Sequence, residues 1–272
     1  MAEKICFIGA GNMAQSLIGG LLKNGVNASD ITATDPYQPS LDALATLGVN
    51  ISTDNAAAVA TADAIVLAIK PQVMESVLTP LAGTLAQTKP LLISIAAGID
   101  IRSLSAWAGN LAIVRCMPNT PALLQLGASG LYANEATSEA QKLLAETILN
   151  AVGITTWLNS EAEIDAVTAV SGSGPAYFFL LIEAMQAAAV AQGLNPETAK
   201  ALSLQTALGA ATMAAQSDVD AAELRRRVTS PGGTTEQALA CFNNGGFSEL
   251  VAQAMQDCAD HSQVLADKLG AK

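Results

Sequence analysis

A glycine-rich segment near the start of the chain has residue types and spacing suited to binding a dinucleotide. Gly9, Gly11 and Ala14 form a GxGxxA pattern that follows an apolar run and opens a helix-like stretch. Gly9 permits a tight turn, Gly11 lets the backbone approach a pyrophosphate, and Ala14 keeps the helix close to the sheet. The diphosphate would bind unpaired N–H groups at the helix N-terminus. This context favours a dinucleotide site over a purely structural glycine turn.

An acidic residue follows at the end of the second predicted strand. Asp35 stands where a carboxylate commonly binds the hydroxyls of adenosine ribose. No lysine or arginine occurs between Ala33 and Asn50 to neutralise a 2′-phosphate, so charge alone favours NADH over NADPH. The alternative is that Asp35 only opens the turn that it forms with Pro36.

A lysine ends another predicted strand, at the edge of the sheet where open α/β folds bind ligands. Lys70 lies in the segment AIKP at 68–71. Its charge could stabilise a cofactor or bond its ribose. A solvated loop lysine is the alternative, and the sequence does not decide between them.

A second glycine-rich motif, VTSPGGTTE at 228–236, leads into a helix. It presents backbone N–H groups, a helix N-terminus and the hydroxyls of Ser230, Thr234 and Thr235, which suits an anion of carboxylate size. The alternative is an ordinary capping box closed by Glu236. Two glycines, a proline and clustered hydroxyls exceed what capping requires, which favours ligand binding.

A third motif, AVSGSGPAY at 169–177, puts two glycines into a helical region. Because glycine destabilises a helix, something must require close backbone approach there. Helix packing in a dimer and a wall of the active site are both consistent with the pattern.

Composition limits the possible partners. The chain is 51% hydrophobic and carries a formal net charge of −11, so it can bury a core but would repel nucleic acid and anionic membranes. The apolar stretch Phe178–Val190 is interrupted by Glu183 and Gln186, and we expect it to be too short to span a bilayer.

Cysteine and histidine usage points to cofactor chemistry in a reducing compartment. The four cysteines form no CxxC pair, which predicts neither a disulfide framework nor a zinc site and favours a cytoplasmic protein. The single histidine, His261, lies in a polar helical stretch, which argues against hydrolytic triads and histidine-based metal sites. We therefore expect no metal.

The periodicity predicts an α/β fold in which a Rossmann-type dinucleotide-binding domain at 1–160 precedes an all-helical domain at 161–272. The first part alternates strand-like and helix-like segments, typical of a parallel sheet. Its predicted strands are Lys4–Ile8, Asp30–Thr34, Ala64–Ile69, Pro90–Ile95 and Ala112–Cys116, with a weaker pair at Gly130–Ala133 and Thr155–Leu158 around a helix near Ser138–Asn150.

The helical part contains more apolar surface than it can bury alone. Between Ile182 and Ala189, apolar residues surround the helix axis. A helix of that kind is buried on several sides. We therefore expect a homodimer formed through the helices; the alternative is a helical domain that packs only against its own N-terminal half.

With these motifs assembled, the chain closely resembles pyrroline-5-carboxylate reductases over essentially its whole length. Six segments carry the resemblance: FIGAGNM at 7–13, AIKP at 68–71, SIAAG at 94–98, RCMPNTP at 115–121, DAVTAVSGSGPAY at 165–177 and RVTSPGGTT at 227–235. The last two, at this spacing behind a dinucleotide turn, are highly specific.

The resemblance implies reduction of Δ1-pyrroline-5-carboxylate, a cyclic imine, to L-proline in the last step of proline biosynthesis. It implies NADPH or NADH as the hydride donor, although Asp35 departs from the uncharged residue frequent in the family, which puts the usual NADPH preference in doubt. It also implies interlocked dimers, often five in a ring, which would make a decamer.

Residue by residue, the resemblance and the motifs assign two sets of contacts. The expected cofactor residues are Gly9, Ala10, Gly11, Asn12, Met13, Asp35, Asn55, Ala68, Lys70, Pro71, Ala96 and Ala97. The expected substrate residues are Glu161, Ser173, Ser230, Gly232, Gly233, Thr234 and Thr235. Thr235 is the expected catalytic residue, since its hydroxyl can hydrogen-bond the imine nitrogen as the amine forms.

Two other functions are alternatives. A β-hydroxyacid dehydrogenase would need a helix-borne lysine as acid/base, and between Lys142 and Lys268 only Lys200 occurs, outside the glycine motifs. A non-catalytic, nucleotide-binding redox sensor would need the nucleotide fold but not the motif at 228–236.

Overall fold

The computed structural model describes residues 3–270 and divides the chain into two compact units. The first unit runs through Ser173 and also takes in the residues from Asp257 onward, and the second is Gly174–Gln256. The outer limits of the predicted domains, residues 1, 2, 271 and 272, lie outside the described residues. The predicted domain boundary after residue 160 stays a prediction.

An eight-stranded sheet forms the centre of the first unit, in the order β3-β2-β1-β4-β5-β6-β7-β8. The first six strands are parallel in the Rossmann order 3-2-1-4-5-6. The strands are β1 Ile5–Ile8, β2 Ile31–Thr34, β3 Asn50–Ser52, β4 Ala64–Leu67, β5 Leu91–Ser94, β6 Ala112–Met117, β7 Gly127–Ala133 and β8 Gly153–Trp157.

Helices cover both faces of this sheet. They are α1 Asn12–Lys23, α2 Gln38–Ala45, α3 Asn55–Val59, α4 Met74–Leu78, α5 Ala82–Thr88, α6 Ile101–Ala108 and α7 Glu139–Asn150. Strands β1, β4 and β5 are buried at every position, because alternate side chains enter separate cores on the two faces. In β1, for example, Phe7 packs in one core and Ile8 in the other. Continuous apolar runs are therefore what this sheet requires.

Two features of the sheet differ from the sequence-based expectation. Strand β7 runs antiparallel to β6, so the sheet is mixed rather than parallel throughout. The connection contains only a short 3₁₀ turn at Thr120–Leu124, and a parallel crossover needs a dozen residues or more. Strand β3 was not predicted, because its three residues are exposed or half-buried and lack an apolar run.

The remainder of the chain is helical, as predicted. Its helices are α8 Glu163–Val167, α9 Gly174–Ala191, α10 Pro196–Gln216, α11 Ala221–Arg227, α12 Thr234–Asn244 and α13 Phe247–Leu269, with a π-helical turn at Thr168–Gly172 between α8 and α9. Within the second unit only Gly174, Ala199 and Ser203 are buried. Large apolar side chains such as Phe178 and Phe179 are about two-thirds exposed, at 65% and 66%. The helices of one chain therefore leave much apolar surface to be covered.

The apolar helical segment is longer than the sequence indicated. The helical span Glu163–Ala191, 29 residues with a bend at Ser173, is by length and composition alone able to cross a membrane. The expectation that this stretch is too short to span a bilayer was therefore wrong. The π-helical turn lies between α8 and α9, in the helical region where the sequence places glycines at 172 and 174.

Two buried thiols test the packing of the sheet. Burial raises the pKa of both Cys6 and Cys116 to about 12. Since the thiolate is the reactive form, we expect neither to react with an aromatic disulfide reagent at pH 8 in the native protein, whereas all four cysteines react in denaturant. Peptide mass spectrometry after brief labelling measures this. Rapid native labelling of Cys6 would contradict the packing of β1.

Candidate functional site

The glycine turn lies at the carboxyl edge of the sheet, where β1, β2 and β4 end side by side. The Gly9 N–H donates to the Thr34 carbonyl, and the Ala68 N–H donates to the Ile8 carbonyl, both at 2.8 Å. Gly9 has a φ of +102°, and a Cβ at this position would overlap the Ala68 carbonyl oxygen. Only glycine fits here, so the tight turn predicted from the sequence is a packing requirement of the protein itself.

Gly11 is glycine for a different reason. Its φ of −71° suits any residue, and no protein atom lies within 4 Å of where its Cβ would be. Gly11 caps α1, and no side chain caps that helix terminus. The turn therefore offers open space next to uncapped N–H groups and the positive end of a helix dipole, which fits a dinucleotide diphosphate.

Asp35 ties the end of β2 to this turn. Its Oδ2 accepts the Ala10 N–H at 2.9 Å, and its Oδ1 accepts the Tyr37 N–H at 2.8 Å. The bond with Tyr37 is the local contact expected if Asp35 only opens a turn with Pro36. The bond with Ala10 is a contact between distant residues that the sequence did not indicate. The half-buried carboxylate is thus held at the same edge as Gly11.

The other predicted cofactor residues lie along the same edge or next to it. Asn12 and Met13 begin α1; Asn55 begins α3, after β3; Ala68, Lys70 and Pro71 follow β4; Ala96 and Ala97 follow β5. The Ala96 side chain is buried in the core, so only its backbone faces outward, whereas Ala97 is exposed. Parallel strands end together, which is why residues far apart in sequence meet here.

Glu161 takes part in a partly buried ion pair. Its Oε1 accepts from Arg115 Nη1 at 3.0 Å and from the Ile101 N–H, at the start of α6, at 2.7 Å. Burial by itself raises the pKa of the neighbouring Asp100, but hydrogen bonds from Ser103 and the charges of Arg102 and Arg115 lower it below its usual value. The carboxylate of Glu161 therefore joins β6, α6 and the start of the helical region, and its predicted contact with substrate stays a prediction.

Asn119 joins two of the sequence motifs. Its amide donates to the Ser171 carbonyl at 3.0 Å and accepts the Ala128 N–H at 2.9 Å. A Cβ on Gly172 would lie 2.7 Å from the Met117 side chain. The RCMPNTP segment thus packs against the π-helical turn, which explains the glycine at 172 by close approach within one chain. Sequence analysis had not singled out Asn119.

Ser173 lies at the end of the π-helical turn. Cys258 Sγ is 3.2 Å from Ser173 Oγ, and Ser262 Oγ donates to Asp165 at 2.7 Å. The end of α13 therefore packs along the segment that precedes α9. The predicted substrate contact of Ser173 stays a prediction.

The loop at 230–233 forms the N-terminus of α12 in the second unit. Gly232 has a φ of +72°, and its N–H donates to Glu236 Oε2 at 2.7 Å. Gly233 is the cap residue, and no side chain caps the helix. An ordinary capping box is not formed: Glu236 accepts the N–H of Gly232 rather than that of the cap residue Gly233, and no side chain caps the helix. The predicted substrate residues Ser230, Gly232, Gly233, Thr234 and Thr235 lie together at this terminus.

Sequence analysis did not identify two groups of residues that lie in or next to these sites. Arg115 and Asn119 lie within the quoted RCMPNTP segment, but their roles depend on contacts with residues 46 and 52 positions away. A basic run, Arg225–Arg227, ends α11 just before the loop, and Glu223 pairs with Arg226 and Arg227. The concentration of positive charge in an acidic chain was the available signal.

The sheet order, the glycine turn and the uncapped helix terminus together define a Rossmann-type dinucleotide-binding protein. Residues 4–98 match the family model described as "NADP oxidoreductase coenzyme F420-dependent", and residues 161–265 match "Pyrroline-5-carboxylate reductase dimerisation".

Similar proteins agree over the whole chain. A pyrroline-5-carboxylate reductase of Pseudomonas aeruginosa is 56% identical over 269 residues, with 98% of each chain covered. A solved structure from Coxiella burnetii, described as a pyrroline-5-carboxylate reductase, is 42% identical with a TM-score of 0.95, covering 98% of this chain and 99% of that one. Another, from Plasmodium falciparum with NADP bound, is 30% identical with a TM-score of 0.84, covering 97% and 98%.

This chain belongs to the pyrroline-5-carboxylate reductase family. The resemblance drawn from the six motifs is confirmed, as is the α/β fold with a Rossmann-type domain before a helical dimerisation domain. The match to a dimerisation model also accounts for the apolar helices: they form a homo-oligomer.

Substitution of Gly11 tests the fit of the cofactor. Gly11→Ala adds a Cβ that meets no other part of the protein, so we expect the free energy of unfolding to fall by no more than about 1 kcal/mol, because alanine is a poorer helix cap than glycine. The Cβ enters the space for the diphosphate, so binding of reduced nicotinamide dinucleotide should weaken at least about tenfold.

The matched control is Gly19→Ala in the same helix, where a Cβ also meets nothing within 4 Å. It should leave binding unchanged. Nicotinamide fluorescence measures affinity and thermal unfolding measures stability. Cofactor affinity in Gly11→Ala equal to that of the parent protein would place the diphosphate elsewhere.

The ion pair of Arg115 and Glu161 gives a stability prediction. Glu161→Gln keeps an oxygen for the Ile101 N–H but removes the carboxylate that pairs with the buried Arg115 at 3.0 Å, so that Asp100 is the remaining acidic partner known to act on this arginine. We expect the free energy of unfolding to fall by about 1–3 kcal/mol, measured with denaturant at one protein concentration. Glu139→Gln, which breaks the exposed pair with Lys142, should cost less than about 1 kcal/mol. Equal effects would show that the Arg115 pair contributes no more than a surface pair.

Proposed function

We propose that this chain reduces Δ1-pyrroline-5-carboxylate to L-proline, the last step of proline biosynthesis, with NADP(H) or NAD(H) as cofactor. The observation that carries the proposal is the 230–235 loop: a positive-φ glycine and a glycine cap leave the first turn of α12 without a side-chain cap. This chemistry suits a carboxylate. The P. aeruginosa relative and the matching dimerisation model support the same substrate.

The substrate carboxylate is held by the backbone N–H groups of Thr234 and Thr235, with the hydroxyls of Ser230 and Thr234 as further donors. The Gly233 N–H donates to the Ser230 carbonyl at 3.0 Å, so Gly233 shapes the loop around this site. Glu236 already accepts the Gly232 N–H, which holds the loop in its turn conformation. The basic run at 225–227 adds positive potential close in sequence to this anion site, in a chain with a net charge of −11.

The cofactor is held at the carboxyl edge of the sheet. The first turn of α1 beside Gly11 would hold its diphosphate, and Asp35 would lie near its adenosine ribose. Asn55, Lys70 and the backbone at 96–97 line the remainder of the cleft. When bound, the reduced nicotinamide supplies the hydride that adds to the C=N carbon.

Thr235 provides the polar contact at the reacting nitrogen. Its side chain is exposed in the second position of α12, where it is available to a ligand. The imine can be protonated from solvent, so the residue need only hydrogen-bond the nitrogen as it becomes an amine. No histidine acid is required, in keeping with a chain that has a single histidine near its C-terminus. Glu161 and Ser173 complete the proposed substrate contacts.

We further propose a cytoplasmic protein that assembles through its helices as a dimer, with five dimers in a decamer, and that binds neither nucleic acid nor a membrane. The second unit supports this assembly, since it buries almost none of its large apolar side chains within one chain. A second copy offers the same apolar helices, so the 163–191 segment is covered by protein rather than lipid.

The reaction is tested by following the loss of reduced-nicotinamide absorbance when purified protein meets pyrroline-5-carboxylate. Oxidation that depends on the imine and yields proline by amino-acid analysis is expected. No oxidation with either cofactor, from protein that light scattering shows to be oligomeric, would overturn the proposal.

Thr235→Ala tests the role of the hydroxyl. We expect kcat to fall by about 10²–10³-fold, since a hydrogen bond that strengthens in the transition state is lost, while the dissociation constant for the cofactor stays within about twofold. Thr212→Ala, on α10, removes a hydroxyl that bonds only the Leu208 carbonyl and serves as the control. Steady-state kinetics and fluorescence titration separate the two effects. Unchanged turnover in Thr235→Ala would remove this residue from the mechanism.

A further inference from the structure

We infer that Asp35 is an anchored specificity residue that makes this chain prefer NADH to NADPH. The inference rests on the proposed function and concerns only the adenosine end of the cofactor. Charge along the sequence gives no more than a tendency, because a flexible carboxylate could turn away from a 2′-phosphate. The structure adds that this carboxylate is held in place.

The anchoring consists of two backbone hydrogen bonds from opposite sides. Ala10, in the glycine turn, donates to Oδ2, and Tyr37, after β2, donates to Oδ1. The Asp35 N–H itself donates to the Ser52 carbonyl at 3.4 Å. Rotating the side chain away would leave the Ala10 N–H, which belongs to a fully buried residue, without its acceptor. The negative charge therefore stays at the edge of the sheet.

The remaining hydrogen-bonding capacity of Asp35 matches a ribose diol. An ionised carboxylate accepts at about four lone-pair sites. The two backbone N–H groups use two of them, which leaves about two for the 2′- and 3′-hydroxyls of adenosine ribose. Both hydroxyls are donors and suit these acceptors. A 2′-phosphate offers only acceptors and about −1.5 to −2 charges, so it is repelled.

No cation is placed to reverse this repulsion. The sequence holds no lysine or arginine from 24 to 69. Lys23 donates to Gln125 at 2.7 Å, and Lys70 follows β4, which is two strands or about 10 Å from β2. A second carboxylate, Asp54, follows Ser52 by two residues and caps α3. The adenosine end is therefore negative without compensation among the described residues.

The test uses nucleotide fragments that lack nicotinamide, so that binding is read without turnover. Isothermal titration of the full-length protein with ADP-ribose and with 2′-phospho-ADP-ribose should give at least about tenfold tighter binding of ADP-ribose, or about 1.4 kcal/mol. Asp35→Asn keeps an oxygen for the Ala10 N–H but removes the charge, and it should bring the two affinities to within about threefold.

The matched control is Asp42→Asn, which removes one charge from the exposed face of α2, where Asp42 bonds only Gln38. Its affinity ratio should stay that of the parent protein. Asp35→Ser serves as the second variant if Asp35→Asn fails to fold, as judged by circular dichroism. Wild-type protein that binds 2′-phospho-ADP-ribose as tightly as ADP-ribose overturns the inference, as does an unchanged ratio in the Asp35 variant.

A kinetic arm separates this inference from the proposed function. With pyrroline-5-carboxylate present, the ratio of kcat/KM for NADH to that for NADPH should fall at least about threefold in Asp35→Asn. Fragment selectivity without imine turnover would sink the proposed reaction and leave the role of Asp35 intact. Turnover of pyrroline-5-carboxylate with equal kcat/KM for NADH and NADPH would support the proposed reaction and overturn the role of Asp35.

Discussion

The close approach of two backbone segments at Gly9 is the constraint on which the nucleotide-binding edge depends. The Ala68 carbonyl occupies the position of a side chain on Gly9, so β1 can turn into α1 against β4 only with glycine there. Hydrogen bonds from Gly9 to β2 and from Ala68 to β1 hold three strand ends in register. The Asp35 carboxylate then bonds the next residue, Ala10. The glycine turn, the Asp35 carboxylate and the N-terminus of α1 are therefore held in position by contacts within the protein.

The second unit differs from the first, because it has a large apolar surface that one chain does not bury. Only three residues between 174 and 256 are buried, while several phenylalanines and leucines are more than half exposed. Exposed apolar area of this extent signals an interface. The match to a dimerisation model makes that interface a property of the family. The long helix could pass for a membrane span on composition alone, since helix interfaces and bilayers both select apolar side chains.

Glu161 and Asn119 show how tertiary contacts give polar residues their roles. Glu161 was expected to contact substrate, and its carboxylate proves to bond Arg115 and the start of α6. Asn119 was not singled out, yet it bonds both the π-helical turn and the start of β7. The bond between Arg115 and Glu161 joins residues 46 positions apart, and the bond between Asn119 and Ser171 joins residues 52 positions apart. Spacing along the chain carries no information about such pairs.

Local pattern was enough for much of this protein. The buried apolar run before GxGxxA and the loss of β-branched runs after residue 160 predicted a Rossmann-type domain and a helical one, because both signals arise from neighbouring residues. The reversed direction of β7, the short edge strand β3, the π-helical turn at 168–172 and the anchoring of Asp35 were decided only in the folded chain. Each depends on backbone groups and side chains that are distant in sequence and meet when the sheet and helices pack. Hydrophobic periodicity records which face of an element is buried, but it does not record which residues will lie across from it.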